Sequence, residues 1–356
     1  MPSQVSRKAD GCELHAAFNK MCGEEWMGIY QIQVVTYNSA QYIVDCLNSI
    51  LAQSLQAERI LVIDNGSVDD TVTFVRQVNG VELIELPANN GYAAGHNTGF
   101  SLLMDTPIDF VVTVNPDILL DPYYVERCIN LLDSQTNCGG VQGKLMRQTK
   151  ISCVTGDQGA IDNAISMIDS VGLQMERFFH VRDRGSEAVD DGQFDHDGQV
   201  WGVCGAAAVY RTAMLKQLNE HMGTFNETFF LYKEDVELCF RAKRLDWTFS
   251  YCSTAKATHY RGWQEHSRIG MIARAHSFSN QIIILLKYAP RNSKVFIGSA
   301  LVEMVRFFVM VFIHPKVAWL VIRLLRSKWR AEMKLIHEQS SDSNPVDAGQ
   351  SSAIRW

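Results

Sequence analysis

Glu234 and Asp235 are adjacent carboxylates in the run Tyr232-Lys233-Glu234-Asp235-Val236-Glu237-Leu238-Cys239-Phe240-Arg241. Leu231, Leu238 and Ala242 form an apolar stripe at helical spacing, and Phe225, Phe229 and Phe230 crowd the approach. Carboxylates among aromatic neighbours cost free energy unless they are paired, bind a metal or take part in chemistry. One reading is an acidic first turn at the positive end of a helix dipole. The other is a general base, since an ionised carboxylate can take the proton of an attacking hydroxyl near neutral pH. Asp117 is a second acidic point, ending an apolar run after Asn115-Pro116. It suits a divalent metal ligand, against the alternative of a turn-forming Pro-Asp pair.

These residues need elements that place them together. Ile29 to Thr36 reads as a strand, followed by a helical face of Ile43, Leu47, Ile50 and Leu51. Arg59 to Asp64 is a short apolar run stopped by Asn65-Gly66-Ser67, and Phe110 to Val114 is another, stopped by Asn115-Pro116-Asp117. Apolar runs without alternation describe strands buried on both faces. Thr71 to Val78 and Gly91 to Leu103 read as helices, and Val81 to Glu85 as a strand. The alternation predicts an α/β fold, a mostly parallel sheet flanked by helices. In such sheets ligands lie beyond the carboxyl ends of the strands, where Asp64, Asp69 and Asp117 all fall. Residues 148–200 are polar and glycine-rich and read as long loops with a hairpin, facing an acceptor. Small residues at Gly205-Ala206-Ala207-Ala208 permit close backbone approach.

Of 356 residues, 47% are apolar and 20% charged, a globular composition. The net charge of −6 conceals an asymmetry: residues 261–335 hold 13 Lys/Arg against 3 Asp/Glu, leaving −16 on the rest. A basic end on an acidic body suggests contact with an anionic surface. The nine cysteines include no C-x-x-C pair and no zinc spacing, so buried thiols in a reducing compartment are expected. No apolar run of signal-peptide length occurs in the first 28 residues.

No G-x-G-x-x-G follows the first strand and no Walker A sequence occurs, so a nucleotide's phosphates need another holder, most simply a metal on a carboxylate. Val34-Val35-Thr36-Tyr37-Asn38, Val62 to Thr71, Asn89 to Gly99, Asn115-Pro116-Asp117 and Phe229 to Cys239 together resemble a family 2 glycosyltransferase of GT-A fold, over residues 30–262. Within it the chain is most similar to the rhamnosyltransferase branch, through Asp195 in Asp191-Gly192-Gln193-Phe194-Asp195 and through Gly205-Ala206. The resemblance implies an inverting, metal-dependent transfer, with dTDP-L-rhamnose as donor and a lipid-linked saccharide as acceptor in bacterial surface polysaccharide synthesis. It implies that Thr36, Tyr37, Asn38, Asp64, Asn65, Gly66, Asn97 and Asn115 form the donor site, with the Asp64 carboxylate accepting the base imide N–H. Asp117 and His259 would hold Mg²⁺ or Mn²⁺, Asp235 would be the base, and Glu234 would orient it or touch the acceptor. This branch often carries Arg-Asn-Arg where this chain has Ser279-Asn280-Gln281, so Arg268 or Arg274 would have to meet the diphosphate. A non-catalytic GT-A scaffold, and a family 2 transferase using a UDP-sugar, are the alternatives.

Val295 to Ile313 is nearly continuous apolar sequence interrupted by Glu303 and Arg306, whose charges are expensive inside a bilayer. The fitting picture is two helices lying on the cytoplasmic leaflet, with Arg323, Arg326 and Arg330 at headgroups and Trp319 and Trp329 at the boundary. A buried helical hairpin is the other reading. The expected organisation is an unstructured extension (1–28), the GT-A domain (29–262), a basic membrane-associating helical region (263–336) and a disordered tail (337–356). Because the motifs end near Gly262, the C-terminal helices read as separable from the nucleotide pocket. The expected place is cytoplasmic, peripheral on the inner face of the cell membrane, and nucleic acid is not an expected partner.

Overall fold

The computed structural model describes residues 28–103, 106–148, 167–260 and 267–342. The first half alternates as its apolar runs require. It comprises β1 (Tyr30–Thr36), α1 (Ile43–Leu51), β2 (Arg59–Asp64), α2 (Thr71–Val75), β3 (Glu82–Glu85), α3 (Tyr92–Ser101) and β4 (Phe110–Val114). Every residue of β1 and β4 is buried. Next come β5 (Ile118–Leu120), α4 (Tyr124–Asp133), β6 (Cys138–Gln148), β7 (Met167–Ser170), β8 (Leu173–Met175), β9 (Val181–Asp183), β10 (Gly198–Val200) and β11 (Ala207–Arg211). The chain continues through α5 (Thr212–Met222), α6 (Glu234–Arg244), β12 (Thr248–Tyr260), α7 (Ser267–Tyr288), α8 (Lys294–Ile313) and α9 (Pro315–Asp342).

The sheet order is β10-β12-β6-β11-β4-β1-β2-β3, with β5 on β12 and β7 on β6. From β4 to β3 all pairing is parallel, as the buried strands predict. Beyond β4 the sheet is mixed: β11 enters antiparallel to β4 and β6, while β12 runs parallel to β6. One face is packed by α1 and α4 through Ile43, Leu47, Ile50, Val125 and Ile129. The other is packed by α3, α5, α6 and α7 through Phe100, Leu215, Leu238 and Ile284. Among the described residues Cys46, Cys128, Cys138, Cys239 and Cys252 are buried free thiols and Cys204 is partly exposed.

Several boundaries differ from the sequence reading. Helix α2 stops at Val75, three residues short, and the described part of residues 148–200 contributes the short strands β7, β8, β9 and β10 where long loops with a hairpin were expected. Strands β8 and β9 pair antiparallel as a hairpin. Helix α9 runs to Asp342, so the expected disordered tail is helical over 337–342. Residues 1–27 and 343–356, where the extension and the rest of the tail were expected, lie outside the described residues.

The C-terminal helices are docked rather than separable. Glu332 of α9 accepts from Asn226 Nδ2 and Thr228 Oγ1, both at 2.7 Å, and pairs with Lys287 of α7 at 2.8 Å. Lys328 is buried against the Asn280 side-chain oxygen. Helix α8 is also not a buried hairpin arm: Phe308 is 58% and Phe312 81% exposed. Glu303 turns inward instead, where it meets His180 at 2.6 Å and the exposed Arg306 at 2.9 Å. That arrangement satisfies the buried carboxylate and leaves the outer helix face apolar.

Candidate active site

Two contiguous cavities open at the carboxyl ends of β1, β2 and β4. The first, about 230 Å³, is lined by Thr36, Tyr37, Asn65, Tyr92, Asp117 and Phe230 among others. The second, about 530 Å³, is walled by Glu234, Asp235, Cys204, Gly205, Lys233 and residues of β9. Tyr92, Asn115, Leu231, Tyr232 and His259 line both.

Register explains the acidic end of the first cavity. Strand β5 pairs antiparallel with β12, setting Ile118 opposite His259, so that Asp117 arrives beside the imidazole. His259 Nε2 lies 3.4 Å from Asp117 Oδ1, and Nδ1 lies 2.7 Å from Asp169 Oδ2. Asp169 comes from β7, which reaches β12 only through β6. Burial alone depresses the His259 imidazole, but hydrogen bonds to the two carboxylates outweigh it and hold its pKa at about 9. Carboxylate, imidazole and a carboxylate behind the imidazole form the usual support of a metal-ligating histidine. Asn115 contributes an unpartnered buried Oδ1 at the junction of the cavities.

The carboxylate pair sits at the start of α6, after a turn in which Tyr232 (φ 66°) and Lys233 (φ 67°) are both left-handed. Such conformations cost non-glycine residues free energy and persist where surrounding bonds enforce them. Here Asn280 Nδ2 donates to the carbonyls of Leu231 (3.0 Å) and Tyr232 (2.6 Å). The Tyr92 amide donates to Phe230 O at 2.9 Å. Gly91, at φ 93°, allows that approach: a Cβ there would lie 2.5 Å from the same oxygen. Ser279 and Gln281 are buried as well, and Gln281 binds Phe179 O. Positions 279–281 thus pack the turn from behind, and arginines there would lie in the core.

The two carboxylates differ in surroundings. Asp235 Oδ2 accepts from Gly205 N at 3.0 Å and Oδ1 from Val236 N at 2.7 Å. Glu234 is 7% exposed, and its Oε2 has no partner among the described residues. Burial, then the neighbouring Asp235 charge, push Glu234 up to about 8. Burial also raises Asp235, against its two backbone donors. The proton of the pair therefore belongs on Glu234 and the negative charge on Asp235. Glu237 does different work: fully buried, it pairs with Arg241 and Lys287 and accepts from Tyr288, tying α6 to α7.

The raised Glu234 has a stability consequence. The folded state holds this proton more tightly than the unfolded chain, so its contribution is complete below about 4.5 and lost as pH rises through about 8. Glu234→Gln, which cannot ionise, is expected to melt at an increasingly higher temperature than the parent as pH rises across that window. Thermal denaturation at a series of pH values checks this. Parallel curves for the two proteins would place the loss on another group.

Of the other expected site residues, Thr36, Tyr37 and Asn65 line the first cavity, whereas Asn38, Asp64, Gly66 and Asn97 do not. Asp64 is spent inside the wall, accepting from Thr36 Oγ1 at 2.9 Å and Ser67 N at 2.8 Å. Asn38 clasps the next turn through Val68 N, and Gly66 (φ 74°) shapes that turn. Asn97 clasps Phe225 through both its side-chain atoms. Asn65 is the better-placed acceptor, because its buried Oδ1 is unpartnered at the cavity wall. Asp195 reaches Lys144 at 2.6 Å and anchors the 190–195 loop to β6. Arg274 faces a third cavity, and the side chain of Arg268 lies outside the described residues. The sequence reading missed Asp169 and Tyr92, whose hydroxyl donates to Gly205 O at 2.9 Å. Tyr92 lay within a recognised motif, but nothing local marked Asp169.

Residues 32–152 match the model of glycosyl transferase family 2. The N-acetylglucosaminyl-diphospho-decaprenol L-rhamnosyltransferase of Mycobacterium tuberculosis is 23% identical over 246 residues, 65% of this chain and 76% of that protein. The low-salt glycan biosynthesis hexosyltransferase Agl10 of Haloferax volcanii is 21% identical over 231 residues, 64% of this chain and 66% of that protein. Among solved structures, residues 1–349 of S. aureus TarS in complex with UDP-GlcNAc superpose with a TM-score of 0.50 at 16% identity. They cover 84% of this chain and 80% of that one, a likeness of fold. With transferases as relatives, the family model spanning β1 to β6, and the carboxylate pair beside the strand-end cavity, the chain carries a glycosyl transferase family 2 region over residues 32–152 and is a glycosyltransferase.

Proposed function

We propose that this enzyme moves L-rhamnose from dTDP-L-rhamnose onto a lipid-linked saccharide, with inversion, at the cytoplasmic face of a bacterial cell membrane during surface-polysaccharide synthesis. The observation that carries the reading is Asp235, whose carboxylate accepts from two backbone N–H groups on the wall of a cavity continuous with Asp117 and His259. The rhamnosyl donor and prenyl-diphosphate acceptor come from the name of the mycobacterial relative. Support for the membrane comes from α8, long and apolar enough to meet a bilayer, with Glu303 turned inward against His180. Arg323, Arg326, Arg330, Trp319 and Trp329 on α9 are all exposed, which suits a headgroup layer.

The donor nucleoside enters the first cavity between Tyr37, Phe230 and the Asn65 side chain. Asp117 and His259 would hold Mg²⁺ or Mn²⁺: donor atoms sharing such an ion sit about 3 Å apart, and the pair stands at 3.4 Å. When bound, that cation neutralises charge on the leaving diphosphate. To hold it, Asp117 and His259 would give up the proton between them, while Asp169 keeps the imidazole oriented. Asp235 takes the acceptor hydroxyl's proton as its oxygen attacks the anomeric carbon from the face opposite the diphosphate. Glu234, protonated, keeps a second charge away from Asp235. Gly205, fixed by Tyr92 and Thr113 on its carbonyl, aims the Asp235 carboxylate.

The scaffold alternative rested on the missing arginines at 279–281, and those positions are buried packing positions. Nucleotide release from a panel of dTDP- and UDP-sugars, with the full chain and an N-acetylglucosaminyl diphosphoprenol acceptor, tests the proposal. The expected result is acceptor-dependent release of dTDP from dTDP-rhamnose. Release of UDP alone would move the donor assignment to UDP-sugars.

A further inference from the structure

A third cavity, about 690 Å³, lies between β9, the strained 232–233 turn, α7 and the inner side of α8. Arg182, Lys233, Arg274 and Arg306 line it with His180 and His314, and no carboxylate does. Two of these cations are already paired, Arg306 with Glu303 at 2.9 Å and Arg182 with Glu176 at 3.4 Å. The other two have no salt bridge among the described residues. Arg274 meets only the His314 imidazole, at 3.4 Å, and Lys233 only the Val181 carbonyl, at 3.3 Å. Two cations without a salt bridge, beside two that have one, in a concave site are what a compact polyanion requires.

The cavity also has an apolar side and two neighbours. Phe278, Met310 and Val317 line it, and Met310 belongs to the helix that exposes Val305, Phe308, Val309 and Phe312 outward. On its other side it shares Val181, Arg182, Tyr232, Lys233 and Ser277 with the cavity of Asp235. A ligand held here would have its charged centre among the cations, an apolar tail beside α8 and a polar head toward Asp235. We propose that this cavity binds the diphosphate of a prenyl-diphosphate-linked acceptor, with the prenyl chain lying along α8 and the sugar delivered to Asp235. The diphosphate diester is a dianion, matched by Arg274 and Lys233. The proposal rests on the acceptor class given above, and adds where that acceptor is gripped.

Arg274 is exposed and outside the donor cavities, so Arg274→Glu and Arg274→Lys in the full chain separate charge from folding. Binding of farnesyl diphosphate is expected to weaken by about 10–100-fold in Arg274→Glu, the range for losing a charged hydrogen bond, and to be largely kept in Arg274→Lys. Farnesyl diphosphate is expected to compete better than inorganic pyrophosphate, because only the former carries the tail. Sedimentation with phosphatidylglycerol vesicles should be nearly unchanged, which separates this site from general headgroup attraction. In turnover assays Arg274→Glu should raise the acceptor KM and leave the donor KM alone. Unchanged farnesyl diphosphate affinity, equal competition by pyrophosphate, or loss confined to vesicle binding or to donor KM would each overturn the proposal. A parent enzyme that binds farnesyl diphosphate through Arg274 yet transfers no sugar would instead overturn the functional reading while leaving this site in place.

Discussion

Asp235→Asn is expected to lower turnover by about 10²–10⁴-fold, the usual worth of a general base, while dTDP binding stays within about twofold. The asparagine oxygen can still accept one of the backbone donors, Gly205 N or Val236 N, so the start of α6 is retained. What disappears is the carboxylate on this wall that accepts from both Gly205 N and Val236 N. Glu234 does not substitute, because burial, the larger cause of its raised pKa, remains in the variant. Steady-state kinetics on the purified variant, with calorimetry of dTDP binding beside it, check both halves. Turnover close to that of the parent would take Asp235 out of the mechanism.

Asp117→Ala should have the largest effect on donor binding. On the proposed reading Asp117 and His259 hold a divalent ion against the diphosphate, and removing Asp117 leaves a single imidazole donor. The expected loss in metal-dependent dTDP affinity is at least about 100-fold, above the 10–100-fold typical for disturbing a supporting partner. Asp169→Asn disturbs that kind of partner and should fall within the smaller range, because His259 keeps its place in β12 but loses the carboxylate behind it. Titration calorimetry with dTDP, with and without Mg²⁺ or Mn²⁺, separates the cases. Unaltered affinity in Asp117→Ala, or full activity in EDTA, would contradict the assignment.

What was legible in the sequence follows from how local each signal is. Parallel strands buried on both faces leave apolar runs, so the ends carrying Thr36, Asp64 and Asn115-Pro116-Asp117 could be placed by reading alone. The carboxylate pair was legible because it stands among aromatic residues. Asp169 was not, because its position depends on β6 lying between β7 and β12, a pairing across about a hundred residues of chain that no local pattern records. The reversal of β11 between β4 and β6 was hidden for the same reason. Position at a strand end also does not distinguish a residue that faces a cavity from one that closes the turn behind it. Asp64 and Asn65 are neighbours, yet the first spends its oxygens on Thr36 and Ser67 while the second leaves one free at the wall. The inward turn of Glu303 required a partner, His180, that sequence reading placed in a loop. Lys328 and Glu332 show the same limit: a basic helix read as separable is pinned to Asn280 and Asn226, beneath the turn that precedes α6.

The most direct test of the central claim is transfer itself. The full chain, supplied with Mg²⁺, labelled dTDP-rhamnose and N-acetylglucosaminyl diphosphoprenol, should place label in the lipid fraction with inverted anomeric configuration. The parallel Asp235→Asn reaction should leave the label in the donor. Label that reaches only water as free sugar, or a product that retains the donor's configuration, would contradict a base-assisted single displacement at Asp235.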